Sequence, residues 1–374
     1  MAVEFAASAQ SSVGIEWELS FVDADTFELS PRADDVLALL GVEGQSGPIR
    51  REYLLSMVEL VSGAHATVGE AVADIRESLD CVRDAAASLG LRVIGGGTHP
   101  TSRSSDIPIF QAPRPIRVLD RNGWWGRRLT ISGTHVHVGM ANRDEVLPVT
   151  EGLARFYPYL LALSASSPFW EGEDTAFASH RTMLFQQLPT NGLPPMLTTW
   201  REFEDYAEEL ASVGMIEEAQ EIRWDVRPAP RFGTIENRAM DSVPTLAELG
   251  CVAAITQCFV EFATRRMEDV DFLPPWIVRE NKWRAARYGL DAQVIVPRYY
   301  EQRVISLRDG LTEWLGLLAP IADELGCADE LALAHQIMAD GPSYERQRRV
   351  AAESGVEAVA GALVAELESG TLPR

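Results

Sequence analysis

Two short stretches, Gly14-Ile15-Glu16-Trp17-Glu18 and Gly133-Thr134-His135-Val136-His137-Val138-Gly139, alternate polar and apolar side chains at period two. That alternation is the pattern of a β-strand with one wet and one buried face. Glu16 and Glu18 share one face, with Ile15 and Trp17 behind them. His135 and His137 share another, backed by Val136 and Val138. A strand whose polar side carries only ionisable groups calls for an ion or a charged ligand there.

Three more segments read the same way. Met57–Val61 is a strand with a lone acid, Glu59, and Gly233–Arg238 aligns Thr234, Glu236 and Arg238. Glu221–Arg227 puts Glu221, Arg223, Asp225 and Arg227 on one face. Between them the spacing predicts a helix over 68–89, opened by a Thr67/Glu70 capping box and ended at Gly90. A strand at 91–94 and a long apolar helix at about 145–166 follow the same logic. Residues 101–130, rich in Pro and Arg, read as an irregular substrate-side loop, and 167–198 as a long ordered loop pinned by Trp170, Phe177 and Phe185. The chain is expected to be a flexible tail (1–12) and one domain (13–374), mostly helical from about 244. Strands separated by long helices give an α+β class: one mostly antiparallel sheet, helices on its back and a charged front.

The totals narrow the partners. A composition 46% hydrophobic and 24% charged supports a sizeable core. The net charge of −22 argues against nucleic acid and anionic membrane surfaces. It leaves nucleotides open, because carboxylates hold triphosphates through bridging magnesium. No apolar run reaches the ~18 residues of a membrane span, and the first residues lack a signal-peptide pattern, so a cytoplasmic protein is expected. Cys81, Cys251, Cys258 and Cys327 lack metal or disulfide spacing and read as buried free thiols.

If Glu16, Glu18, Glu59, His137 and Glu236 face one cavity, cations must neutralise them. Hard oxygen ligands with an imidazole suit magnesium, with manganese as the alternative. Arg238, on the face of Glu236, is placed to hold a phosphoryl group. Each signal also has an ordinary reading. Glu16-x-Glu18 fits a solvated face, Glu236-x-Arg238 a surface ion pair, 221–227 a cross-strand ladder, and Gly95–Gly97 a tight turn as well as a phosphate cradle.

Taken together and in order, the motifs are more specific. They are Gly14–Leu19, Met57–Gly63, Gly95-Gly96-Gly97-Thr98-His99-Pro100, Gly133–Gly139, Leu161–Pro168, Arg223–Pro228, Gly233–Arg238 and Asn281-Lys282-Trp283-Arg284-Ala285-Ala286-Arg287-Tyr288-Gly289. Over about residues 13–365 the chain resembles the glutamate–cysteine ligase type 2 family, bacterial carboxylate–amine ligases with weak glutamate–cysteine ligase activity. The resemblance implies a glutamine synthetase-like fold, with the sheet curved into a funnel. It also implies ATP-dependent joining of a small carboxylate to an amine through an acyl phosphate. By motif position Glu16, Glu18, Glu52, Glu59, His137 and Glu236 are the implied magnesium ligands. Arg238 is the implied phosphate-binding arginine, catalytic together with Glu236. His135 either supports a ligand or faces substrate, and Arg223 and Arg227 either fix a second carboxylate or line the funnel. Asn237 departs from the family's Val or Ile and needs buried partners. Two rival functions remain at this point: a metal-dependent amide hydrolase, suggested by His-x-His, and a non-catalytic nucleotide-binding regulator. The apolar C-terminal helices are compatible with a homodimer.

Overall fold

The structure is a computed structural model that describes residues 2–43, 46–270, 273–298 and 301–372. The first half runs β1 (Val13–Asp23), α1 (Ala33–Leu39), β2 (Ile49–Arg51), β3 (Met57–Val61), α2 (Val68–Ser88), β4 (Leu91–Ile94), α3 (Pro113–Asn122), β5 (Gly133–Gly139) and α4 (Arg143–Ser164). Short elements follow: β6 (Phe169–Trp170), β7 (Glu173–Asp174), α5 (His180–Phe185), β8 (Asn191–Gly192), α6 (Trp200–Ser212), β9 (Arg223–Trp224), β10 (Val226–Ala229) and β11 (Thr234–Asp241). The remainder is α7 (Leu246–Arg265), α8 (Pro275–Tyr288), a hairpin of β12 (Gln293–Arg298) and β13 (Glu301–Ser306), then α9 (Leu307–Leu325), α10 (Ala328–Asp340), α11 (Ser343–Ser354) and α12 (Ala358–Ser369).

The class is α+β, as the alternation predicted. Seven strands form an open sheet in the order β10-β11-β5-β1-β3-β2, with β4 also on β1, and its pairings are all antiparallel. β1 is the spine: it pairs β3 along Glu16–Ser20, β5 along Val13–Trp17 and β4 along Ser20–Asp23. Val13, Ile15, Trp17, Leu19 and Phe21 are fully buried on its back face, against a core shared with α2, α4 and α7. Trp17 fixes that packing by donating its indole N–H to the Val243 carbonyl at 3.1 Å. α7 is long and apolar enough to cross a membrane, but 94% of its apolar window is buried inside the fold. α2 carries the predicted capping box on Thr67 and Glu70.

Several expectations change. The N-terminal residues 2–12 do not hang free. Ala6 N–H donates to the Pro230 carbonyl at 2.9 Å, Ser8 N–H to Met140 at 3.1 Å, and Ser11 N–H to Gly139 at 2.9 Å. Phe5 packs edge-on against Trp200. Gly139 and Gly233 let this segment approach: a Cβ at Gly139 would collide with the Ala9 carbonyl oxygen, and one at Gly233 with the Ala6 carbonyl. Residues 101–130 contain α3, because Pro113 and Pro115 occupy its first turn, where a proline's missing N–H is harmless. Residues 167–198 hold β6, β7, α5 and β8, and the helical C-terminal part includes the β12–β13 hairpin. Cys251, Cys258 and Cys327 are buried free thiols, whereas Cys81 is exposed on α2.

The 221–227 row is not one strand face. Residues 219–221 form a 3-10 turn and the chain breaks between β9 and β10 at Asp225. Asp225 is buried and pairs with buried Lys282 of α8 at 2.6 Å. Lys282→Met would leave that carboxylate uncompensated in the core. A loss of about 3–5 kcal/mol in urea unfolding is expected, and the double change with Asp225→Asn should recover part of it.

Candidate active site

The sheet register brings the predicted residues onto one diagonal. Arg227 stands opposite Glu236, and Glu236 opposite His137. His135 stands opposite Glu16, Glu18 opposite Glu59, and Glu59 opposite Arg50. Period-two alternation sends all of these side chains to the front of the sheet. Glu52 joins them from the turn between β2 and β3.

The result is a run of possible cation sites that share residues. Glu16–His137–Glu236, Glu16–Glu59–His135 and Glu18–Glu52–Glu59 each offer ligand atoms within 4.8 Å of one another. His137 Nε2 lies 3.5 Å from Glu16 and 3.9 Å from Glu236, and is buried with no hydrogen-bond partner. Its Nδ1 sits 2.9 Å from Thr234 Oγ1. That contact can hold the tautomer that leaves Nε2 as a lone-pair donor, the arrangement found behind metal-bound imidazoles. His135 Nδ1 is 3.1 Å from Glu16 and its Nε2 is 3.7 Å from Glu18. His135 therefore sits among the ligands themselves, a position the sequence left open.

The electrostatics divide the cluster in two. Burial pushes the Glu236 carboxyl up, but Arg227, Arg238 and His137 more than offset it and hold the group well below its usual range. Burial also raises Glu16, and His135 and His137 pull it well below normal. On the other side, burial and the charge of Glu52 push Glu18 up to about 8. Burial and the charges of Glu16, Glu52 and Glu18 push Glu59 well above its ordinary value. Burial, with help from Arg238, takes His135 down to about 4. Burial lowers His137 too, but Glu236 and Glu16 reverse the sign and raise it. Glu236 sits between two guanidiniums, whereas Glu18 and Glu59 are pushed up by burial and by neighbouring carboxylates. A bound cation would relieve that crowding, and this carboxylate-rich donor set fits magnesium or manganese.

The arginines take separate roles. Arg227 Nε donates to Glu236 at 2.7 Å, and its Nη1 reaches the Gln220 and Ile222 carbonyls at 2.8 and 2.6 Å. It is a fixed counter-ion for Glu236 rather than a free arm on the wall. Arg238 also contacts Glu236, while its buried Nε has no partner. Its backbone N–H is anchored on the Asp225 carbonyl at 2.8 Å. Arg223 stands apart from the cluster and lines two cavities over the sheet. One, of about 330 Å³, lies over Arg227, Phe232 and Glu236. The other, of about 580 Å³, lies over Glu18, Glu52, His135 and Arg238. Arg117 of α3 lines both, so the 101–130 region does border the site.

Asn237 proves to be satisfied. β11 slips register between Asn237 and Met240, and the Asn237 Oδ1 accepts the Ala239 N–H at 3.2 Å while Nδ2 faces Thr256 Oγ1 at 3.5 Å. The amide serves a bulge that a valine could not. Three residues at the site were not foreseen: Tyr53 and Arg181, which line the larger cavity, and Phe232, edge-on to the His137 ring at 5.6 Å. Arg181 lies in the Pro- and Phe-rich stretch where no periodicity marks a face.

Fold and site together are an open antiparallel sheet with a carboxylate–histidine–arginine front. The chain belongs to the glutamate–cysteine ligase family 2, whose description matches residues 12–366, and is a ligase of that family. It is 45% identical to a protein of Arthrobacter sp. (strain FB24) provisionally named glutamate–cysteine ligase 2-1, over 99% of each chain. It is also 45% identical to a relative in Leifsonia xyli subsp. xyli provisionally named glutamate–cysteine ligase 2, covering 98% of this chain and 99% of that one. Among solved structures, the glutamate–cysteine ligase of Francisella tularensis, in complex with AMP, superposes with a TM-score of 0.70 at 13% identity, covering 99% of this chain and 91% of that one. A bifunctional glutathione synthetase from Pasteurella multocida gives 0.69 at 14%, covering 96% of this chain and 52% of that larger one. At these identities the two structures speak for the fold alone.

Proposed function

We propose that this chain is an ATP-dependent carboxylate–amine ligase that works through an acyl phosphate, with glutamate and cysteine the first substrates to test. The observation that carries the reading is the shared-residue cluster of Glu16, Glu18, Glu52, Glu59, His135, His137 and Glu236 beside Arg238. Magnesium held there would neutralise the phosphate oxygens of ATP and the charge that spreads over the transferred group.

The protein's own groups account for the rest. Arg238, braced by Glu236 and by the Asp225 carbonyl, presents its unpaired Nε to the phosphoryl group. Arg227 keeps Glu236 ionised and so keeps Arg238 in place. An oxygen of the substrate carboxylate attacks the γ-phosphorus, the bond to ADP breaks, and an acyl phosphate forms. The amine nitrogen then attacks the acyl carbon, phosphate leaves with the bonding pair, and the amine loses a proton to give the amide. The hydrolase rival would need further histidine or lysine ligands. His180 packs against Trp170 and Phe177 instead, and Lys282 is paired with Asp225.

The test is ADP release from Mg-ATP with glutamate and cysteine, then with a panel of other carboxylates and amines. Release that requires both cosubstrates is expected. Amide cleavage without ATP, or nucleotide binding with no turnover on any pair, would reject the ligase reading.

A further inference from the structure

The segment above the two cavities is built differently from the sheet beneath it. α3 supplies Arg117 and Val118 to both cavities, Arg121 to the smaller, and Pro113 and Pro115 to the larger. It therefore roofs the site along its whole length. None of its described side chains is buried, and Ile116 within it and Trp124 and Trp125 just after it are exposed. β1 below buries its entire back face, whereas this helix has no core of its own. Few buried apolar contacts mark the parts of a protein that open at low free energy.

Both ends of the segment are tied down. Before α3, Leu55 N–H donates to the Pro108 carbonyl at 3.0 Å and Phe110 N–H to the Tyr53 carbonyl at 2.8 Å, next to Glu52. After α3, the Tyr53 hydroxyl donates to the Gly126 carbonyl at 3.1 Å, and Arg128 pairs with Glu171 at 2.8 Å. Pro113 opens the helix, and Gly123 ends it at φ +53°, a backbone conformation that favours glycine. Between these ends, α3 is held across the cavity mouth by an ion pair of Arg117 with Glu217, in the turn after α6. The two side chains are 50% and 68% exposed, so water screens the pair and little is needed to break it. Glu221 and Glu218 also attract that guanidinium, after Glu217 itself. Glu221 in turn accepts the Glu217 N–H at 3.1 Å, and the neighbouring Gln220 and Ile222 carbonyls hold Arg227. The pair thus closes on the same turn that seats the counter-ion of Glu236.

We propose that α3 is a lid over the active site, clasped by Arg117 and Glu217, and that it swings on residues 111–113 and Gly123 to admit nucleotide and substrate. The inference rests on the ligase reading for what passes the lid, and on the packing of α3 for the motion. A fixed wall would need a buried face, and α3 has none among its described side chains. The side chain that spans both cavities is also the one paired across the mouth, so breaking a single contact frees the roof of both. A closed lid would keep water from the acyl phosphate, which water would otherwise hydrolyse in place of the amine.

Two measurements on the full-length protein test this. Hydrogen exchange read by mass spectrometry should show residues 114–122 exchanging faster than α2 or α7. Glu217→Gln and Arg117→Gln should each speed that segment about two- to fivefold, the effect of losing an exposed ion pair. The exchanged pair, Arg117→Glu with Glu217→Arg, should restore the wild-type rate. Access is read with a fluorescent ADP analogue and magnesium, using Cys81→Ser, Arg117→Cys, Glu217→Cys protein joined by a reducible bismaleimide. Joined before the analogue is added, the protein should not take it up; joined afterwards, it should not release it; reduction should restore both. Exchange over 114–122 as slow as in α7, or unaltered by the single changes, overturns the clasp. Wild-type uptake and release by the cross-linked protein overturn the gate. Weaker equilibrium binding in Arg117→Gln alone, unrepaired by the exchanged pair, would make Arg117 a ligand contact and also overturn the clasp. A wild type that takes up no analogue overturns the gate and the ligase reading together. A gated wild type that releases no ADP with any carboxylate–amine pair overturns the ligase reading and leaves the lid standing.

Discussion

Glu236→Gln is expected to reduce ADP release by about 10²–10³-fold or more, the loss seen when one preorganised charge-stabilising group is removed. Glu236 is 1% exposed and touches Arg227, Arg238 and His137 at once. The amide keeps the shape and removes the charge. Two buried guanidiniums then face each other without their common counter-ion, and His137 loses one of the two carboxylates that sustain it. Arg238 is released toward solvent or toward Glu16, away from the phosphoryl position. A stability loss of about 3–5 kcal/mol should accompany the change, since one side of a buried ion pair is gone. Activity is therefore to be compared at equal folded fraction, checked by circular dichroism. Folded Glu236→Gln with wild-type turnover would remove Glu236 and Arg238 from the site.

The cluster was legible because every member but Glu52 lies on a strand, where period two makes the wet face visible in the sequence. Glu16, Glu18, His137 and Glu236 meet through the register of β1, β5 and β11, and the backs of those strands are so apolar that no other register would bury them. Glu52 sits in a turn and could be placed only by resemblance. Arg181 could not be read at all: its environment is built from serines, glycines and one aspartate scattered from Gly97 to Asp241, and tertiary contact alone unites them. The docked N-terminal segment escaped for a related reason. Its stabilisation is backbone hydrogen bonding to Gly139, Met140 and Pro230, which leaves no trace in side-chain pattern. Arg227 fronts the sheet opposite Glu236, but apart from Asp225, and its carbonyl partners at Gln220 and Ile222 depend on a turn that the charge alternation concealed.

The pH dependence of stability should reverse when a divalent cation is bound. In the cation-free protein, Glu18 is pushed up to about 8 and Glu59 well above its ordinary value, against 4.5 for either in an unfolded chain. The folded state therefore holds more protons than the unfolded state from about 4.5 upward. These two groups favour folding at low pH and lose that contribution as pH rises through their folded values. Each such proton removes about 1.4 kcal/mol per pH unit. Histidines held below their normal value, among them His135 at about 4, act in the opposite direction, but only between about 4 and 6.5. Above pH 6.5 the carboxylates decide the sign, and His137, which is raised, adds to it. Chelator-treated protein should thus melt lower at pH 8 than at pH 6.5. With saturating magnesium or manganese the cation replaces those protons, so the increase in melting temperature on adding metal should be larger at pH 8, with protons released on binding. Glu59→Gln should flatten the chelated profile and weaken the metal response together. Equal metal-induced shifts at the two pH values would mean that Glu18 and Glu59 are not facing a cation, and the sheet front would then have to be read as an internal proton-sharing network.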